Sequence, residues 1–169
     1  SFDGEDFYAI EKKLKAARVI NNIMEAELSF TIINPDTPEK VKRNIFKRIN
    51  TGGMRLSMQE IRHALYQGES TKLLYEMTQS PTYIKVIGKT IKDDRMAARE
   101  IILRFISFYM RKRDFFKNDM DNFLSDTMRH INGEIELEVR LPYNKNIIIE
   151  AFNIGLERSH KIFGDHAFR

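Results

Sequence analysis

The chain has 169 residues, 42% of them hydrophobic and 31% charged, with 28 lysines and arginines against 24 aspartates and glutamates for a net charge of +4. That much apolar material excludes whole-chain disorder, and so small a basic excess admits a nucleic-acid partner only through local clustering. The absence of cysteine excludes disulfide scaffolds, thiol nucleophiles and cysteine-ligated zinc. No apolar run approaches the roughly 18 residues of a membrane span. The start, Ser1-Phe2-Asp3-Gly4-Glu5-Asp6, lacks the basic and apolar regions of a signal peptide. A soluble, cytoplasmic protein with no membrane partner is expected.

Four prolines and eight glycines, with no Gly/Ser linker and no repeat, predict one compact, mainly α unit. Residues 5–17 read as a helix with Ile10, Leu14 and Ala17 on one side, and 18–26 continue or restart it. Glu27-Leu28-Ser29-Phe30-Thr31-Ile32 alternates polar and apolar and is the one strand signal. Thr37-Pro38-Glu39 is a helix start. On the helix over 38–49, Val41, Ile45, Phe46 and Ile49 fall within an arc of about 140°, which places Lys40, Arg43 and Lys47 in solvent. Arg48 is expected at the edge of that arc, along the core boundary.

Asn50-Thr51-Gly52-Gly53 stops this helix. Ser57 and Glu60 have capping-box spacing for the next, which runs to about Gln67. Short helices are predicted over 70–79 and 82–90. The stretch 94–112 is the most apolar helix and the expected centre of the bundle, with a narrow polar stripe of Glu100, Arg104, Ser107 and Arg111. Residues 115–132 and 145–163 give two more amphipathic helices, and 134–141 reads equally as strand, helix or extended loop. The expected architecture is a bundle of six to eight helices with at most one or two short strands.

Chemistry is sparse. Histidines at 63, 130, 160 and 166 show no ligand spacing, so no metal site is assigned. No nucleophile elbow, Walker loop or dinucleotide fingerprint is present, and no catalytic residue is assigned. The densest polar constellation is Arg48-Ile49-Asn50-Thr51-Gly52-Gly53. Two glycines admit close approach to backbone N–H groups, the arginine fork matches phosphate oxygens, and the loop leads toward a helix start. The same residues also make an ordinary helix stop, with Arg48 paired to an acid such as Glu60. Glu100 and Arg104 read as a buried structural i,i+4 pair or as the wall of a polar pocket. Arg111-Lys112-Arg113 with Lys117 is the basic run suited to a DNA contact, or to a solvated helix end.

The stretch Ile45-Phe46-Lys47-Arg48-Ile49-Asn50-Thr51-Gly52-Gly53-Met54-Arg55-Leu56-Ser57-Met58-Gln59-Glu60-Ile61-Arg62-His63-Ala64-Leu65 resembles the F-x-R-I-N-T-G-G-x-x-L-S-x-x-E-I-R-x-A-L segment of the GmrSD restriction-endonuclease N-terminal family. Arg95-Met96 with Glu100 and Leu103-Arg104-Phe105, and the ending Ile162-Phe163-Gly164-Asp165-His166-Ala167-Phe168-Arg169, fit the same family. The resemblance implies a prokaryotic, modification-dependent restriction and phage-defence protein, in which a ParB-like nucleotide-binding core is joined to a helical region. It implies hydrolysis of a nucleoside triphosphate coupled to DNA restriction, in some members beside an HNH-type nuclease region. The family's D-G-Q-Q-R motif is not matched by Asp3-Gly4-Glu5-Asp6. Residues 1–36 are therefore expected to be the remnant of a truncated ParB-like core, with its last strand near 28–33, and 37–169 the appended helical region. This piece is expected to be inactive alone and to hold no cofactor, with a nucleoside triphosphate, DNA and the remainder of the protein or a nuclease subunit as the ligands and partners of the whole. By the resemblance Arg48, Asn50, Thr51, Gly52 and Gly53 face phosphate, while Ser57, Glu60, Arg62, Glu100 and Arg104 give structural support.

Overall fold

The computed structural model describes residues 4, 6–13, 17–27, 29–30, 32–34, 36–49, 55–87, 90–91 and 93–164. Among them the fold is mainly α, with nine α-helices: α1 Phe7–Glu11, α2 Ala17–Met24, α3 Glu39–Ile49, α4 Met58–Leu65, α5 Glu69–Thr78, α6 Pro81–Val86, α7 Ala97–Met110, α8 Met120–Ile131 and α9 Lys145–Phe163. Single 3-10 turns at Asp94–Met96 and Arg113–Phe115 precede α7 and α8. The chain divides into two compact units, 1–37 and 38–169. The boundary falls between Thr37 and Pro38. In the first unit Ile10 is the buried residue of α1, and no residue of α2 is buried.

In the first unit, Asp6 caps α1 by accepting from the Ala9 N–H at 2.8 Å. The alternating segment carries no strand at its described positions, and Phe30 and Ile32 are 80% and 85% exposed. Period two makes a strand only where a second strand supplies the other half of the ladder.

The second unit is built on α7. Ile102, Leu103 and Ile106 have no exposed surface, and Met110 almost none, because α7 packs against α4, α5 and α8 together. Burying each such side chain contributes about 1.5–3 kcal/mol. Helix α6 lies along α9, with Tyr83 stacked on Phe152, and Phe105 of α7 meets the same ring at 5.0 Å. Ser80, Asp119 and Asn144 cap α6, α8 and α9 by accepting the N–H three residues on, and Pro81 opens α6.

One expectation, that Arg43 faces solvent, needs correction here. The polar stripe of α7 is buried toward its end: Ser107 is fully buried and donates to the Leu103 carbonyl at 2.8 Å, and Arg111 is buried, while Arg104, Ile101 and Phe108 are exposed. A hydroxyl that bonds back to its own helix needs no water, so it does not mark the wet face. In α3, Arg43 turns inward and Val41 outward, because α4 and α8 offer Arg43 partners that the helix's own pattern does not reveal. Residues 134–141 form neither helix nor strand. The N–H groups of Arg140 and Leu141 both reach the Met110 carbonyl, at 2.7 and 3.2 Å, and so satisfy the end of α7. No helix among the described residues is long and apolar enough to cross a membrane.

Candidate functional site

A network of charged side chains ties α3, α4, α7 and α8 together. Its centre is Arg62, whose side chain is 4% exposed. The planar fork is filled on every side: Nη1 donates to Asp121 at 2.7 Å, Nη2 to Glu100 at 2.8 Å and Nε to the Gln59 side-chain oxygen at 2.9 Å. Only a guanidinium presents this many donors in one plane. Glu100 also accepts from Arg104 at 2.7 Å. The Glu100–Arg104 pair is not buried as a unit, since Arg104 is 48% exposed. Glu100 instead bridges a buried arginine to a surface one.

Asp121 joins a second centre. Arg43 approaches its other oxygen at 3.6 Å, donates to the Tyr66 hydroxyl at 2.9 Å, and reaches Glu39 and Asn122. The Tyr66 hydroxyl in turn donates to Glu39. Burial, with the Glu39 bond behind it, pushes the Tyr66 phenol up to about 12. Beside this network a cleft of about 550 Å³ opens between α3 and α8, with Lys40, Arg43, Asn44, Asn122 and Arg129 facing Glu39, Asp119, Asp121 and Asp126.

The start of α4 is clamped separately. Ser57 accepts from the Glu60 N–H at 3.1 Å and Glu60 accepts from the Ser57 N–H, a complete capping box. Arg95 pairs with Glu60 at 3.1 Å and donates to the Arg55 carbonyl, and the Ser57 hydroxyl donates to the Arg95 carbonyl at 2.9 Å. Arg95 and Met96 both have left-handed backbone, with φ of 56° and 61°. Two such residues in succession cost about 1–3 kcal/mol each, and the bonds to α4 hold them there.

The capping bond from Ser57, helped by Arg95, holds the Glu60 carboxyl below its ordinary value of 4.5. A depressed folded-state pKa stabilises the fold above the unfolded pKa and is lost as pH falls through the folded one. Stability of the wild-type chain is therefore expected to drop as pH is lowered from about 5, and the Glu60→Gln variant to show a shallower drop. Urea melts at stepped pH measure this, and parallel curves for the two proteins would refute it.

Arg48 lies on the last turn of α3 with its side chain exposed, not along the core boundary. Asn50, Thr51, Gly52 and Gly53 lie outside the described residues. Glu60 pairs with Arg95, so the alternative Arg48–Glu60 pairing has a competitor already in place. Ser57 and Glu60 belong to the clamp at the start of α4, and Arg62, Glu100 and Arg104 to the charged network. In the basic run, Lys112, Arg113 and Lys117 are exposed, whereas Arg111 is 8% exposed and lies under Phe123. Arg111 therefore does not share their exposed surface. Among the described residues no group of three or more histidines or carboxylates is placed to hold a metal ion.

Sequence reasoning missed Glu39, Arg43, Tyr66, Asp121, Asn122 and Arg95. The four-residue spacing of Glu39 and Arg43 was an available signal. Nothing local distinguishes Asp121 or Asn122 from other first-turn acids and amides. No family model, curated protein or solved structure matches the chain.

Proposed function

We propose that this chain is the helical part of a GmrSD-type, nucleotide-dependent restriction and phage-defence protein, with Arg48, Asn50, Thr51, Gly52 and Gly53 as the phosphate-facing edge of a pocket completed by a ParB-like core. The supporting observation is an exposed arginine beside a firmly anchored helix inside the resembling segment. Glu60 and Arg62 are fully engaged in capping and ion pairing, whereas Arg48 stands exposed where α3 runs into the diglycine stretch. Two glycines between helices fixed in this way suit phosphate binding, because backbone N–H groups can approach the oxygens closely.

The test uses a polypeptide in which this chain follows a ParB-like core carrying D-G-Q-Q-R, with phosphate release from nucleoside triphosphates as the readout. Turnover is expected in that polypeptide and not in this chain alone, and Arg48→Ala is expected to lower it at least tenfold with little change in melting temperature. Turnover by this chain alone, or wild-type turnover in Arg48→Ala, would contradict the proposal.

A second reading, a non-enzymatic module that binds DNA or a partner protein, draws on exposed Lys112, Arg113 and Lys117. It predicts DNA binding by this chain alone that weakens steeply with salt and loses slope in Arg113→Ala and Lys117→Ala.

A further inference from the structure

Arg111 is a buried cation that forms no close ion pair among the described residues. It follows the last residue of α7, and its side chain passes under α8 with 8% of its surface exposed. Its guanidinium carbon sits 4.1 Å from the centre of the Phe123 ring, and Nη1 donates to the Phe123 carbonyl at 2.9 Å. Among the described residues that is the side chain's one hydrogen bond, and Nε is buried with no acceptor. This contrasts with Arg62, equally buried, whose fork is filled by two carboxylates and an amide. An aromatic face and one carbonyl compensate a desolvated guanidinium only in part. Burial accordingly weakens the hold of Arg111 on its proton, with Asp126 restoring some of it.

Arg111 lines a cleft of about 480 Å³ at the corner where α7 gives way to α8. Lys117 stands on its rim, exposed and outside every ion pair of the described residues. The opposite wall carries Asp119 and Asp126. Asp119 is engaged as the cap of α8 and by the Asn122 amide, and the nearest cation to Asp126 is Arg129 at 3.9 Å. The cleft is therefore lined by a buried arginine, an exposed lysine and two acids whose lone pairs are partly occupied.

We propose that Arg111 and Lys117 form a binding site for a phosphate group. A tetrahedral oxyanion with two charges meets the fork with one pair of oxygens and the ammonium with another, whereas a single carboxylate has oxygens for the fork alone. The two wall acids keep the affinity for bare phosphate modest and make the site intolerant of a second anion. The phosphate belongs to a small phosphorylated molecule or to a polynucleotide backbone. None of the residues of the Arg48 loop is involved, so the proposal stands apart from the nucleotide reading. Phosphate binding here without turnover there, or the reverse, separates the two.

The test follows the Arg111 side-chain N–H resonance of this chain by NMR while inorganic phosphate is added. A saturable shift is expected, unmatched by acetate at the same concentration. Lys117→Ala, an exposed substitution, is expected to weaken phosphate binding about threefold, and Arg111→Lys, which keeps charge but not the fork, about tenfold. A short DNA duplex that displaces phosphate identifies a polynucleotide as the source, and one that does not identifies a small phosphorylated molecule. The absence of a saturable shift, equal binding of acetate, or unchanged affinity in Lys117→Ala would each overturn the site, and the last does so even if Arg111→Lys fails to fold.

Discussion

The Arg62→Ala variant is expected to lose about 3 kcal/mol of folding stability, the low end of the range for breaking a buried ion pair from one side. Removing the guanidinium leaves Glu100 and Asp121 facing a void. Each remains about a quarter exposed, at 24% and 27%, and each keeps a second arginine, Arg104 for Glu100 and Arg43 for Asp121. Water and those arginines therefore relieve part of the penalty. For a unit of this size the loss corresponds to a fall in melting temperature of about 10–15 °C. Arg62→Lys keeps the charge but offers one ammonium to three acceptors spread around a plane, so it should recover less than half of the loss. If Arg62→Ala melted within about 3 °C of wild type, the network would be a surface decoration and not the tie between α4, α7 and α8.

The second large effect is expected at Gly68, between α4 and α5. A Cβ built there would lie 2.7 Å from the Asn132 side-chain oxygen and 2.8 Å from its carbon. Asn132 cannot step aside, because its oxygen accepts from the Ser70 N–H at 2.9 Å and its amide donates to the Tyr66 carbonyl at 3.1 Å. From the end of α8 it supplies the cap that a glycine before α5 lacks, and it closes α4 as well. Gly68→Ala is expected to cost about 2–3 kcal/mol, and Asn132→Ala about 1–2 kcal/mol through the lost cap. In the double variant the clash is gone, so the total should fall short of the sum by at least about 1 kcal/mol. Additive costs in a denaturant-melt cycle would show that the two side chains do not compete for the same space.

Helix positions were legible where the chain announces them locally. Ser57 with Glu60, Ser80 before Pro81, and Gly164 after α9 each carry a terminus in their own chemistry, and each helix begins or ends there. The central place of α7 was legible because Ile102, Leu103, Ile106 and Met110 leave it too little polar surface for any edge position. The facing of individual charges was not. Arg43 and Arg111 read as solvated because periodicity ranks residues by type, whereas their burial depends on Tyr66, Asp121 and Phe123, between 10 and 80 positions away in sequence. The alternation near Phe30 and Ile32 gave the right period for a strand and no information about whether a second strand exists to complete it. Asn132, which closes two helices at once, looks in the sequence like any residue at the end of a helix.

Within the segment from Ile45 to Leu65, the helix half holds the structure and the loop half is proposed to meet phosphate. Melting of the Arg48→Ala variant, in the polypeptide that carries a ParB-like core, with and without a nucleoside triphosphate, separates these roles. Without nucleotide the melting temperature should match wild type, and the rise that bound nucleotide gives the wild type should be lost. A melting temperature already lowered without nucleotide, together with an intact rise on adding it, would make Arg48 a structural residue like Arg62 and would remove the phosphate-facing role.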